Sequence, residues 1–297
     1  MKRSLLLFAV VLMSATCAQI FAQDRPDAGA PKVLYLVKEE IKPGMMDAHS
    51  KHSASFANVF RTLDTPNYRI ALAPVSGSEN EVVYMSAIDS FKELEDVLNA
   101  TNKRLGSASG PTRVELDRLN KEASLMHAGM RDMFALFRPE LSFEPGIDIR
   151  TMRYFSITTI RVKPGRDAQF AEYAQKLISA AQKAKVDTYH TALYQIVSGA
   201  PAGTYLLFRP MKSLSELDDP IGMRVRAAMS NDERKDIDKD AGEIYLSSET
   251  STYAFAPAMS YVDKIYASGD PAFWNPKQVP MSKPKPRRKS VATPPTE

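Results

Sequence analysis

The chain of 297 residues has one cysteine and one tryptophan, and only four histidines. The single cysteine, Cys17, rules out an intrachain disulfide and a paired-cysteine metal or redox site. No glycine-rich phosphate loop and no nucleophile elbow is present. No apolar run reaches the length needed to cross a bilayer as a helix. Basic character is also nearly missing from the body. The formal charge of +4 comes from the ends, because residues 276–297 hold six Lys and Arg against Glu297, and Lys2 and Arg3 open the chain. A weakly acidic body carries no electrostatic footprint for nucleic acid, and no nucleic-acid partner is expected.

What is present begins with a leader. Lys2 and Arg3 precede the apolar run Leu5–Met13, and small residues follow, so residues 1–22 are expected to be a cleaved signal peptide of a secreted or periplasmic protein. Cys17 raises a lipoprotein alternative, but Ser14 and Thr16 occupy positions where that signal prefers Leu and Gly or Ala. Cleavage after Ala22 removes the only thiol, leaves a linker at 23–31, and leaves no transmembrane segment in the mature chain. At the other end, KPKPRRKSVATPPTE offers almost nothing to bury, so 276–297 reads as a disordered basic tail able to touch anionic surfaces.

The body repeats itself. Val33–Gly44 (VLYLVKEEIKPG) resembles Tyr154–Gly165 (YFSITTIRVKPG) at an offset of about 121 residues. Val75-Ser76-Gly77 answers Val197-Ser198-Gly199, DSFKELED from Asp89 answers KSLSELDD from Lys212, and FRPELSF from Phe137 answers FAPAMSY from Phe255. Each unit reads strand, Pro-Gly turn, helix, two strands, helix, strand. The helix after the turn spans about 45–63 or 167–184. A charged helix is expected at about 111–132 or 231–248, and a closing strand at about 133–138 or 251–256. This is the α+β ferredoxin-like plan βαββαβ in two tandem repeats, 32–145 and 150–262, followed by an extension at 263–275.

Alternation on the third strands suggests how the units meet. Val83, Met85 and Ala87, like Leu206, Phe208 and Pro210, are assigned to the helix side. Val82, Tyr84 and Ser86, like Tyr205, Leu207 and Arg209, are assigned to a covered face that lines a cavity. Two four-stranded antiparallel sheets packed face to face would then form an intrachain barrel. A strand ending in Val-Lys-Pro-Gly, followed by a helix with an early aromatic and repeated at about 120 residues, resembles the dimeric α+β barrel superfamily. That group includes the antibiotic-biosynthesis-monooxygenase-like, NIPSNAP-like and stress-responsive A/B barrel families. The resemblance implies fold far more than function, since members include haem-degrading and cofactor-free oxygenases, isomerases, chlorite dismutases and proteins without known activity.

The histidines are the residues to consider as metal ligands. His49, His52, Phe56, Phe60 and Leu63 form one helical stripe, and Phe170, Tyr173 and Leu177 stand in the corresponding slots of the second unit, so packing is expected there and no metal. His127 and His190 are distant in sequence, although folding can bring one of them close. The candidate ligand-binding residues are Tyr84, Tyr205, Arg209, His190 and Tyr194; catalytic residues are unknown. No cofactor is expected, with haem as the alternative that the resemblance implies. That alternative departs from the haem-degrading pattern, because Trp274 lies beyond both repeats. The first functional reading is a barrel that binds a small, mostly apolar molecule between its sheets. The others are an oxygenase-like enzyme and an envelope-associated interaction protein. The oligomeric state is left open.

Overall fold

A computed structural model describes residues 29–275. The expected signal peptide at 1–22, most of the expected linker at 23–31 and the expected tail at 276–297 lie outside the described residues.

The first half runs β1 (Val33–Ile41), α1 (Met46–Leu63), β2 (Ile70–Ser76), β3 (Glu81–Ile88), α2 (Phe91–Gly106), α3 (Gly110–Met126) and β4 (His127–Phe137). The second runs β5 (Tyr154–Val162), α4 (Asp167–Ala184), β6 (Ala192–Ser198), β7 (Thr204–Met211), α5 (Ile221–Ala227), α6 (Asn231–Ile244) and β8 (Tyr245–Phe255). Two short helices close the described chain, α7 (Lys264–Ser268) and α8 (Pro271–Trp274).

Among the described residues the strands form one closed antiparallel barrel, in the order β1-β3-β2-β8-β5-β7-β6-β4, with β4 returning to β1. Each half supplies four adjacent strands, and the halves join edge to edge through β2 with β8 and β4 with β6. Closure removes the unpaired edges that each four-stranded sheet would otherwise expose. The repeated Val-Ser-Gly lies at both seams, where Ser76 faces Thr252 and Ser198 faces Phe134. Gly77 and Gly199 follow with φ of +98° and +89°. A Cβ at Gly199 would run into the Asp132 carbonyl, and one at Gly77 into the Ser251 side chain. Glycine is thus required both by the dihedral and by the closeness of the neighbouring strand.

All eight strands send apolar side chains to a single central cluster, which includes Leu36, Leu72, Met85, Ala135, Phe155, Tyr194, Phe208 and Phe255. An eight-stranded barrel is just wide enough for side chains to fill it. Here aromatic rings do so, with Phe155 edge-on to Phe208 and Phe255 at 5.5 and 4.9 Å. Trp274 from α8 packs on Phe255 and donates to the Arg150 carbonyl, so the extension covers this core from one side.

This packing corrects the facing assigned from alternation. Val83, Met85, Leu206 and Phe208 point into the barrel, whereas Tyr84 and Tyr205 point out beneath the helices. The Tyr84 hydroxyl donates to Ser53 Oγ on α1 at 2.7 Å, and the Tyr205 hydroxyl donates to Asp167 Oδ1 on α4 at 2.8 Å. Both faces of these strands are buried, so the usual contrast between a wet and a dry face disappears. The polar groups instead sit where helix side chains can satisfy them.

Candidate functional site

The five candidates from the sequence are not brought together. Tyr194 is inside the barrel with its hydroxyl on the Pro31 carbonyl. His190 stands outside, just before β6, with Nδ1 2.9 Å from the Glu144 carbonyl oxygen. Tyr84 and Tyr205 lie under the helices of opposite halves, and burial pushes the Tyr205 hydroxyl up to about 12, with its bond to Asp167 adding to the effect. Arg209, on the same outward face of β7, lines an open space that the other four do not share.

That space is a cavity of about 620 Å³ between α4, α5, α6 and β7. Its wall is largely apolar, with Leu177, Ile221, Val225 and Met229, together with the rings of Tyr173 and Tyr189. The Arg209 guanidinium lies 5.2 Å from the centre of the Tyr189 ring and donates through Nη2 to the Glu216 carbonyl. Its Nε is buried without a hydrogen-bond partner. Burial pushes the Tyr189 hydroxyl up, against the opposing charge of Arg209, so both cavity tyrosines are neutral donors at neutral pH. At the rim, Arg226 clasps Asp238 through two bonds of 2.7 and 2.5 Å.

The matching layer of the first half is built differently. His49 on α1 is fully buried, with Nε2 2.7 Å from Glu39 Oε2 on β1. His127, the first residue of β4, places Nε2 3.3 Å from the same oxygen without meeting it in hydrogen-bond geometry. The two imidazole rings approach edge to face at 5.2 Å. One potential ligand atom from each of Glu39, His49 and His127 lies within 4.8 Å of the others. Ser53 Oγ lies 3.3 Å from His49 Nε2 and receives the Tyr84 hydroxyl, extending the network behind the ring. Burial works to raise the Glu39 carboxyl, but the hydrogen bond from His49 and the charges of His127, His49 and Arg69 outweigh it and hold the group below the ordinary carboxylate range. Burial pulls His127 below the usual histidine range, against the attraction of Glu39.

The helical stripe therefore divides. His52 packs as expected, with Nε2 on the Leu119 carbonyl at 2.9 Å and its ring against Phe56. His49 does not merely pack, because folding supplies two polar partners far from it in sequence. His127 was expected on a helix; instead α3 stops at Met126 and β4 begins at once, opposite Ile41 of β1. The available signal was Glu39, a carboxylate on the strand side that also carries Val37 and Ile41.

A histidine-held haem does not fit these residues. Among the described residues no histidine lines the cavity beside Arg209, His52 and His190 are engaged with the Leu119 and Glu144 carbonyls, and His49 is enclosed against Glu39.

The sequence matches no family model and no curated protein. Some solved structures align with the chain at low similarity. A suspected monooxygenase from Fusobacterium nucleatum aligns over 76% of this chain and 93% of its own, with 11% identity and a TM-score of 0.45. An anthrone oxidase-like protein aligns over 76% and 92%, with 12% identity and a TM-score of 0.46. A mutant chlorite dismutase from Candidatus Nitrospira defluvii aligns over 80% and 95%, with 10% identity and a TM-score of 0.46.

Proposed function

We propose that the protein binds a small, mostly apolar molecule bearing an acidic group, in the cavity between α4, α5, α6 and β7. One observation carries the reading: a cavity of about 620 Å³ with a largely apolar wall, bordered also by Asp219, Arg226 and Asp238, contains the half-buried Arg209, whose Nε is buried and left unpaired. The volume is in the range of small-molecule sites. A buried donor without a partner costs free energy, which an anionic ligand group would recover. The reading also takes the two halves as copies of one ferredoxin-like unit in which the second copy opened a pocket. Its shorter α5, beside the longer α2 of the first half, supports this.

8-Anilinonaphthalene-1-sulfonate, an aromatic sulfonate, serves as the probe. Arg209→Met is expected to weaken its binding about tenfold or more, and Met229→Trp, which fills the cavity, to abolish it. His190→Ala should bind as the parent does. Equal affinity in the parent and in both cavity variants, with circular dichroism showing all of them folded, would overturn the proposal.

A further inference from the structure

We propose that Glu39, His49 and His127 hold a divalent transition-metal ion of the zinc type in the first half of the barrel. This inference is independent of the cavity in the second half.

The donor set is the first support. Two imidazoles and one carboxylate converge from three separate elements, β1, α1 and β4, and no pair of donor atoms is more than 4.8 Å apart. Ligand bonds of roughly 2.0–2.2 Å in tetrahedral geometry separate neighbouring ligand atoms by about 3.3–3.6 Å. The spacings of Glu39 Oε2 from the two ring nitrogens, 2.7 and 3.3 Å, lie at or below that range, so small side-chain adjustments suffice to admit an ion. Imidazole with carboxylate suits zinc and its neighbours in the first transition row better than calcium or magnesium.

The second support is unsatisfied polarity. The buried Nε2 of His127 has no partner in hydrogen-bond geometry, although Glu39 Oε2 lies only 3.3 Å away. A purely structural cluster would be expected to satisfy such an atom. Ser53 Oγ lies 3.3 Å from the same His49 Nε2 and accepts from the Tyr84 hydroxyl, so the donor atoms are already bordered by a polar network. His127 retains some solvent exposure, which gives an ion a way in and leaves room for a water ligand.

The third support is internal comparison. Val162 pairs with Tyr245 as Ile41 pairs with His127, and Ile160 precedes Val162 by the same two residues that separate Glu39 from Ile41. Phe170 follows Gly165 at the same distance as His49 follows Gly44. In the second half these three positions therefore hold Ile160, Phe170 and Tyr245, which pack together as apolar core. The fold is satisfied by hydrophobic residues at this place, so the polar trio of the first half is not needed for architecture.

The test uses the full chain, in a Cys17→Ser background that removes its only thiol, dialysed against a chelator and titrated with Zn²⁺ by calorimetry and with Co²⁺ by visible absorption. The expected result is one equivalent bound, d–d bands from Co²⁺, and a rise in Tm with Zn²⁺ concentration. Glu39→Gln and His127→Tyr should each weaken binding at least tenfold, while His52→Ala and His190→Ala bind as the parent does. Failure of the parent to bind one equivalent would overturn the proposal. So would unchanged affinity in a folded Glu39→Gln or His127→Tyr protein. Glu39→Gln preserves shape, so it decides the matter should the histidine variant not fold.

Discussion

The two halves place the same elements on the same barrel, yet they fill the layer between helix and sheet in opposite ways. Beneath α1 the first half buries a carboxylate, two imidazoles, a serine and a tyrosine in one network. Beneath α4 the second half packs Ile160, Phe170, Tyr173 and Tyr245, and beside them leaves a cavity lined in part by Arg209. The strands need only that this layer be filled and its polar atoms be satisfied. Whatever else is placed there is free to serve chemistry, which is why the layer, rather than the barrel interior, holds both candidate sites.

The largest effects are expected at the seams that join the halves. Gly199→Ala brings a Cβ onto a backbone carbonyl at positive φ and should cost about 3–5 kcal/mol in urea unfolding. Gly77→Ala meets a serine side chain that can rotate away, and should cost about 1–3 kcal/mol. Equal costs would mean that the two seams are interchangeable and that β4 with β6 is no more rigid than β2 with β8.

Next comes a direct conversion of one half into the other. The triple change Glu39→Ile, His49→Phe and His127→Tyr should leave metal-free protein as stable as the parent, or more stable by about 1–4 kcal/mol, because a buried ionic cluster gives way to an apolar one. Glu39→Ile alone should instead destabilise, by stripping the buried His49 imidazole of its carboxylate partner. A triple variant that loses about 3 kcal/mol or more in chelator would show that the trio is structural and that the halves are not exchangeable at this layer.

The smallest effect concerns helix starts. Both α2 and α6 begin with a serine whose Oγ accepts from the backbone of a glutamate three residues on, but Glu233 of α6 also meets Lys183 at 2.7 Å. The Lys183 ammonium and then the Ser230 backbone N–H hold Glu233 down at about 2. Because its folded value is depressed, its contribution is present above the unfolded value near about 4.3 and is lost as pH falls toward 2. The group is fully exposed, so salt screens the effect. Carboxyl ¹³C titration should show Glu233 moving up toward ordinary values in Lys183→Ala; no movement would assign the shift to the cap alone.

The Lys-Pro-Gly turns, the helices that follow them and the order of the strands were legible because they rest on local chemistry: fixed proline dihedrals, glycine reversals and apolar periodicity. The same local signals misplaced the ends of α3 and α6, whose charged sequences read on as helix toward 132 and 248. In the structure β4 and β8 start at His127 and Tyr245, because long antiparallel ladders with β1 and β5 outweigh local propensity there. That shift is what hid His127, which as a helical residue had no reason to meet Glu39.

The sequence by itself determined the α+β plan, the two corresponding halves and the burial of His49 and His52, since each follows from spacing along the chain. Only the tertiary structure decided which face of each strand looks inward and which distant residues share a site. Inside a closed barrel wrapped by helices both faces are dry, so polarity cannot orient a strand. The meeting of Glu39, His49 and His127 depends on strand register, and register is fixed by pairing across the whole barrel.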